Sequence, residues 1–237
     1  ETALELGGND AAIGLGDVDV AAVAGPLFWS AFVNSGQVCI ATKRLYVHDT
    51  VYDALAAELT AIAERVRMGD GLAPGSELGP IQNRPQYDRV RALIADARDA
   101  GLRFLTGGDV PDGKGYFIPV TLVDNPPEDS RVVAEEAFGP VLPLIRFTDV
   151  DDVIARANAS PYGLAGSVWS ADVDAAQAIA ARLDTGTVWI NEAQHVAPWL
   201  PFGGHKQSGI GIENGVEGLM EYTNAQTIMA RKPVVAA

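Results

Sequence analysis

The 237 residues carry 17 Lys+Arg against 31 Asp+Glu, a net charge of −14, and 48% of them are hydrophobic. That apolar fraction supports a sizeable core and excludes a disordered chain. The acidic balance argues against nucleic acid or anionic membrane surfaces as partners, since both are bound through clustered positive charge. The length suits one α/β domain better than two. No apolar run approaches the roughly 20 residues that span a bilayer. The single cysteine, Cys39, leaves no internal disulfide, and with no signal-peptide pattern the expectation is a cytoplasmic protein. The chain opens without Met, at "ETALELGG", so the expectation is a fragment, a processed chain or an isolated domain.

In chain order, "TALEL" (2–6) alternates like a short strand that Gly7-Gly8 stops. Residues 17–34 are apolar on nearly every face and predict a buried helix with Asp17 as its N-cap. "KRLYVH" (43–48) predicts a strand. Val51, Leu55, Leu59, Ile62 and Val66 then recur at helical spacing, as do Tyr87, Val90, Ile94 and Ala97. Strands are predicted at 116–123, 141–147, 164–169 and 186–190, with helices at 150–158 and 172–183. A helix near 213–221 and a last strand near 225–230 complete the chain. Strands alternating with helices imply a mostly parallel open sheet with helices on both faces, an α/β fold in one domain.

Cys39 follows a turn, Ser35-Gly36-Gln37-Val38. Exposed N–H groups in such a turn would favour a thiolate and a developing oxyanion; a buried inert thiol is the alternative. His48, His195 and His205 are the only histidines. A Cys–His pair has no support from their positions, and no cluster has the spacing of metal ligands, so no metal site is expected. Glu5, an acid between Leu4 and Leu6, faces either a polar cavity or solvent. Glu135 and Glu136 precede Phe138-Gly139-Pro140, which reads equally as an acidic turn. Neither "GGNDAAIGLG" nor "LPFGGHKQSGIG" is a phosphate-cradling loop.

Taken together, "LELGGND" with Glu5, "GQVCIATKRLYVH" with Cys39, "EEAFGPV" with Glu136 and Phe138, "LPFGGHKQSGIG" and "GLMEYTNAQTI" resemble the aldehyde dehydrogenase superfamily in order and spacing, with 34 positions between Glu5 and Cys39. The resemblance runs from residue 1 to about residue 230 and implies that residues 1–237 are the family's catalytic domain. It implies that Cys39 attacks the aldehyde and that Glu5 activates water to hydrolyse the thioester, its pKa raised by the flanking leucines. Glu136 would hold the nicotinamide ribose of NAD or NADP, and Phe138 would pack near the nicotinamide. Phe202, Val38, Ile40, Gln194 and Val196 would line the aldehyde pocket; being mostly aliphatic and uncharged, they favour a neutral or apolar aldehyde. Gln86 and Arg89 match too loosely to be assigned.

The family's Rossmann-like coenzyme domain, with its second oxyanion donor, is not in this sequence, so NAD(P)+ binding by these residues alone is expected to be poor. The strand near 225–230 would add to a partner subunit's sheet, and a homo-oligomer, dimer or tetramer, is expected. Two other readings compete: a cofactor-independent thiol esterase using Cys39 and Glu5, and an inactive truncated or oligomerisation module.

Overall fold

A strand of small residues lies at the centre of the molecule. A computed structural model describes residues 2–232. After β1 (Leu4–Glu5), strand β2 (Asp10–Gly14) is buried along its whole length. Helix α1 (Val20–Phe32) leads to β3 (Thr42–His48), α2 (Asp49–Ala63) and α3 (Arg84–Asp99). Next come β4 (Arg103–Thr106), β5 (Thr121–Asp124), the single turn α4 (Arg131–Ala134), β6 (Val141–Phe147) and α5 (Val150–Asn158). The remaining elements are β7 (Tyr162–Gly163), β8 (Ala165–Trp169), α6 (Val173–Ala180), β9 (Thr187–Ile190), β10 (His205–Lys206), β11 (Gly209–Ile210) and α7 (Gly215–Met220).

Seven strands form one sheet in the order β4-β5-β6-β3-β2-β8-β9, parallel throughout except for the β4–β5 edge pair. Helices cover both faces, as expected. Successive side chains leave a strand on opposite sides, and the core divides accordingly. Ala11, Ile13, Tyr46, Ile145 and Val168 pack with Val90, Ile94 and Val153 on one face. Ala12, Leu45, Val47 and Leu144 pack with Leu27, Phe28, Leu55 and Leu59 on the other. No helix among the described residues is long and apolar enough to cross a membrane.

The structure corrects several boundaries. The strand expected over 2–6 shrinks to β1, which pairs with β11 outside the main sheet. No strand was expected over 10–14, yet β2 lies between β3 and β8. Alanine and glycine there are poor β formers in isolation, and burial between two strands and two helical layers overrides that preference. Asp19, not Asp17, caps α1, accepting from the Ala21 and Ala22 N–H groups at 3.0 and 3.3 Å. Asp17 instead accepts from the Ser170 hydroxyl at 2.8 Å and the Asp172 N–H at 3.0 Å, joining the loops that follow β2 and β8. Of 116–123 only the end is strand, and β4 was not expected. Residues 225–230 form no strand within the described chain, and Ile228 and Met229 are exposed.

Arg44 ties the central strands to α5 from inside the core. Its Nε donates to the Asn9 carbonyl at 2.9 Å and one terminal nitrogen to the Ala157 carbonyl at 3.0 Å. The other donates to the Tyr46 hydroxyl at 3.2 Å. Arg44→Met leaves these buried acceptors without a donor and is expected to lower unfolding stability by roughly 3 kcal/mol, measured by chemical denaturation.

Candidate active site

Helix α1 does not run directly into the Cys39 loop. Asn34, Ser35 and Gly36 take positive φ values of 52°, 58° and 71° in succession. Such backbone is costly for Asn and Ser, and side chains hold it. The Ser35 hydroxyl donates to the Gly79 carbonyl at 2.7 Å. Asn34 and Gln37 each donate from the side-chain amide to the other's carbonyl at 3.1 Å, and Gln37 Oε1 accepts the Gln82 N–H at 2.8 Å. Gly36 is required twice over: its φ is left-handed, and a Cβ there would strike the Gly139 carbonyl oxygen.

This turn delivers Cys39 half-buried as a free thiol. Cys39 packs with Val38 and Phe202 against Ile40, Leu164, Ala165 and Trp189. Burial pushes the thiol above its ordinary pKa and nearby Asp10 adds to this, while the N–H groups of Ile40 and Cys39 and the Lys43 ammonium pull it down. The three histidines are engaged elsewhere. His48 Nδ1 accepts the Thr50 N–H at the start of α2, His195 meets Glu192 at 3.0 Å, and His205 meets Asp184 at 3.2 Å.

Glu5 lies on β1, opposite Gly209 of β11. Leu4 and Leu6 are both exposed, so the expected desolvation by these leucines does not occur; alternation turns the carboxylate to the other side. Its Oε2 is buried and has no hydrogen-bond partner among the described residues. Burial raises the Glu5 pKa, Glu213 raises it further, and the Gly204 N–H draws it back. Glu213 is held there by Phe202: each N–H donates to the other's carbonyl, at 2.7 and 2.6 Å. One short bridge therefore sets both an apolar wall beside Cys39 and a charge beside Glu5.

Glu136 sits in the segment between α4 and β6. Its Oε1 accepts the Gly8 N–H at 3.1 Å, and its other oxygen lies where a Cβ on Gly7 would be. Burial raises its pKa, against the pull of that N–H, Lys43 and Arg89. Phe138 takes φ 46°, and its ring centroid lies 5.7 Å from Lys43 Nζ. Gln86 and Arg89, left unassigned by the sequence, hold this segment: Gln86 Nε2 donates to the Ala137 and Phe138 carbonyls at 2.8 and 3.1 Å, and Arg89 to the Glu136 carbonyl at 3.1 Å. The helical spacing of α3 was legible, but not which backbone its first two turns would meet.

Of the pocket residues, Val38, Ile40 and Phe202 gather around Cys39, whereas Val196 is exposed and lies outside that cluster. Gln194 donates to the Ser30 carbonyl at 2.8 Å, beside a cavity of about 300 Å³ whose walls include Trp29, Val33 and Ala193. Trp189 and Trp29 carried no motif that could have singled them out. Carboxylate oxygens at Glu136, beside a glycine pair that leaves room for close approach, suit the paired hydroxyls of a ribose.

The aldehyde dehydrogenase family model matches residues 1–228. A probable aldehyde dehydrogenase from a Pseudomonas species is 44% identical over 97% of this chain and 46% of its own length. A succinate-semialdehyde dehydrogenase [NADP(+)] from Deinococcus radiodurans is 40% identical over 96% of this chain and 48% of its own. The structure of Mycobacterium tuberculosis aldehyde dehydrogenase complexed with NAD+ superposes with a TM-score of 0.89 at 40% identity, over 94% of this chain and 46% of that one. The chain thus spans a little under half the length of these relatives. On the family match, the sequence identity and the shared fold together, the chain belongs to the aldehyde dehydrogenase family.

Proposed function

We propose that these residues form the catalytic part of an NAD(P)+-dependent aldehyde dehydrogenase, with Cys39 as nucleophile and Glu5 as general base. The observation that carries this reading is the Cys39 thiol itself: a free, half-buried sulfur just beyond a turn of left-handed backbone at residues 34–36, where the N–H groups of Ile40 and Cys39 favour its ionised form. The thiolate adds to the aldehyde carbonyl to give a thiohemiacetal, and the loop N–H groups donate to the oxyanion as it forms. Glu136 would hold the ribose of NAD(P)+ and Phe138 would pack at its nicotinamide; the bound cofactor would supply the hydride acceptor for oxidation of the thiohemiacetal to a thioester. Glu5 then takes a proton from the water that hydrolyses the thioester, freeing the carboxylic acid and the thiol. A buried carboxylate oxygen without a partner is suited to that task, because a raised pKa makes it a stronger base.

The apolar surroundings of Cys39 support a neutral or apolar aldehyde. The exposed apolar side chains of Leu219, Met220, Tyr222, Ile228 and Met229 support a homo-oligomer that covers them. A lone cysteine, with no internal disulfide partner, is in keeping with a reducing, cytoplasmic setting.

In the full-length protein, Cys39→Ala is expected to lose at least about 10³-fold in NAD(P)H formation from aldehydes, and to lose 4-nitrophenyl acetate hydrolysis with it. If the Cys39→Ala variant still oxidises aldehydes, the assignment is overturned. Glu5→Gln is expected to keep the first burst of 4-nitrophenol but slow steady turnover by about 10²-fold. The wild-type turnover rate should fall as pH drops through a pKa above the ordinary carboxylate range, because only ionised Glu5 accepts the proton. That acidic limb should be absent from Glu5→Gln, as steady-state pH profiles would show.

A further inference from the structure

Lys43 and Asp10 are buried ionisable residues that the mechanism above does not use, 2% and 5% exposed. Lys43 is the second residue of β3, four positions beyond Cys39. Its Nζ donates to the Val38 carbonyl at 2.7 Å and to the Ala41 carbonyl at 3.4 Å. Those two carbonyls bracket Cys39 and Ile40, so one ammonium gathers both ends of the loop that carries the thiol. Charge-assisted hydrogen bonds of this kind are roughly twice as strong as neutral ones.

Asp10 opens β2. Its Oδ1 accepts the Ala165 N–H at 3.1 Å, while its Oδ2 is buried with no hydrogen-bond partner among the described residues. A Cβ on Gly8 would lie 2.8 Å from both Asp10 Oδ1 and the Cys39 carbonyl oxygen, so the acid and the thiol loop meet around one glycine. The charged groups acting on Lys43 are Asp10 from β2, Glu136 from the segment before β6, and Cys39 itself. Arg44 acts on Asp10 but is committed to the Asn9 and Ala157 carbonyls. Burial drives the Asp10 pKa up and the Lys43 pKa down, and each is opposed by the other's charge.

We propose that Lys43 is a positioning residue for the Cys39 nucleophile, its buried ammonium drawing the flanking carbonyls together and fixing positive charge in the thiol's own loop, with Asp10 as the opposing charge that limits the effect. This rests on the reading of Cys39 as the nucleophile, but its test needs no turnover. In the full-length protein, the rate at which iodoacetamide alkylates Cys39, followed by mass spectrometry, gives the thiol's ionisation profile across neutral and alkaline pH. Lys43→Met keeps the length and removes the charge. It is expected to move the midpoint to higher pH and to slow alkylation at neutral pH about tenfold, one pKa unit. Asp10→Asn keeps the shape and removes the negative charge, so its midpoint is expected to move to lower pH.

A merely structural role does not produce shifts of opposite sign. An unchanged midpoint in Lys43→Met, or shifts of the same sign in both variants, overturns the proposal. If Lys43→Met fails to fold by circular dichroism, Asp10→Asn decides alone: a downward shift supports the proposal, and an unchanged or upward midpoint overturns it. The activity of Cys39→Ala separates the two readings. Opposite shifts together with an active Cys39→Ala variant overturn the nucleophile assignment while upholding the electrostatic control of the thiol by Lys43.

Discussion

The left-handed turn at Asn34-Ser35-Gly36 is the constraint on which the rest of the site depends. Two of its residues are in backbone they resist, at a cost of roughly 1–2 kcal/mol each. The cost is met by hydrogen bonds from the 79–82 segment and between Asn34 and Gln37. The turn allows the chain to leave a buried helix, reverse beside Gly139 and present Cys39 before entering β3. Gly36 is pressed against the Gly139 carbonyl, so the thiol loop and the segment carrying Glu136 and Phe138 are in register with each other. The same Gly139 rests on Val90 of α3, whose first two turns hold Ala137, Phe138 and Glu136 through Gln86 and Arg89. The two halves of the site thus meet through the Gly36–Gly139 backbone contact and are each held by side-chain hydrogen bonds to backbone.

The electrostatics around the thiol run against the acidity of the whole chain. Glu5, Asp10 and Glu136 are all pushed toward their neutral forms, in each case chiefly by burial. A carboxylate whose pKa is raised in this way is a stronger proton acceptor when it is ionised, while the charge of Asp10 still acts against the Cys39 thiolate. Acids on the surface behave in the opposite way: the Arg131 guanidinium holds Glu135 below the usual range, one residue before Glu136. Adjacent glutamates thus differ because one faces a guanidinium and the other faces the interior.

The sheet explains why these groups meet. Asp10 starts β2, Lys43 is the second residue of β3 and Ala165 starts β8, three neighbouring parallel strands. Glu136 precedes β6, which flanks β3 on the other side. In a parallel sheet the strands begin at a common edge, so residues separated by more than a hundred positions in sequence converge there. Glu5 and Phe202 arrive by another route, through the small β1–β11 pair and the Phe202–Glu213 bridge.

Much of this protein was legible in the residues alone. Helical spacing located α2 and α3, because an apolar face at that period is what burying one side of a helix demands, and the segments that became α5, α6, β3, β6, β8 and β9 were also placed from the sequence. The order of the Glu5, Cys39, Glu136 and Phe202 motifs carried the resemblance, since each sits in a short stretch whose glycines and prolines are specific to its turn. Tertiary structure alone decided the rest. It made a central strand of Asp10–Gly14, whose small residues have little strand preference of their own and are strand because neighbours enclose them. It turned Leu4 and Leu6 outward and Glu5 inward, because register decides which side of an alternating strand faces the protein. It buried Lys43 beneath two carbonyls that lie close in sequence yet are brought to one point only by a turn held from the 79–82 segment. Local pattern records what a segment can bury; which groups it meets there is set by contacts that no local pattern contains.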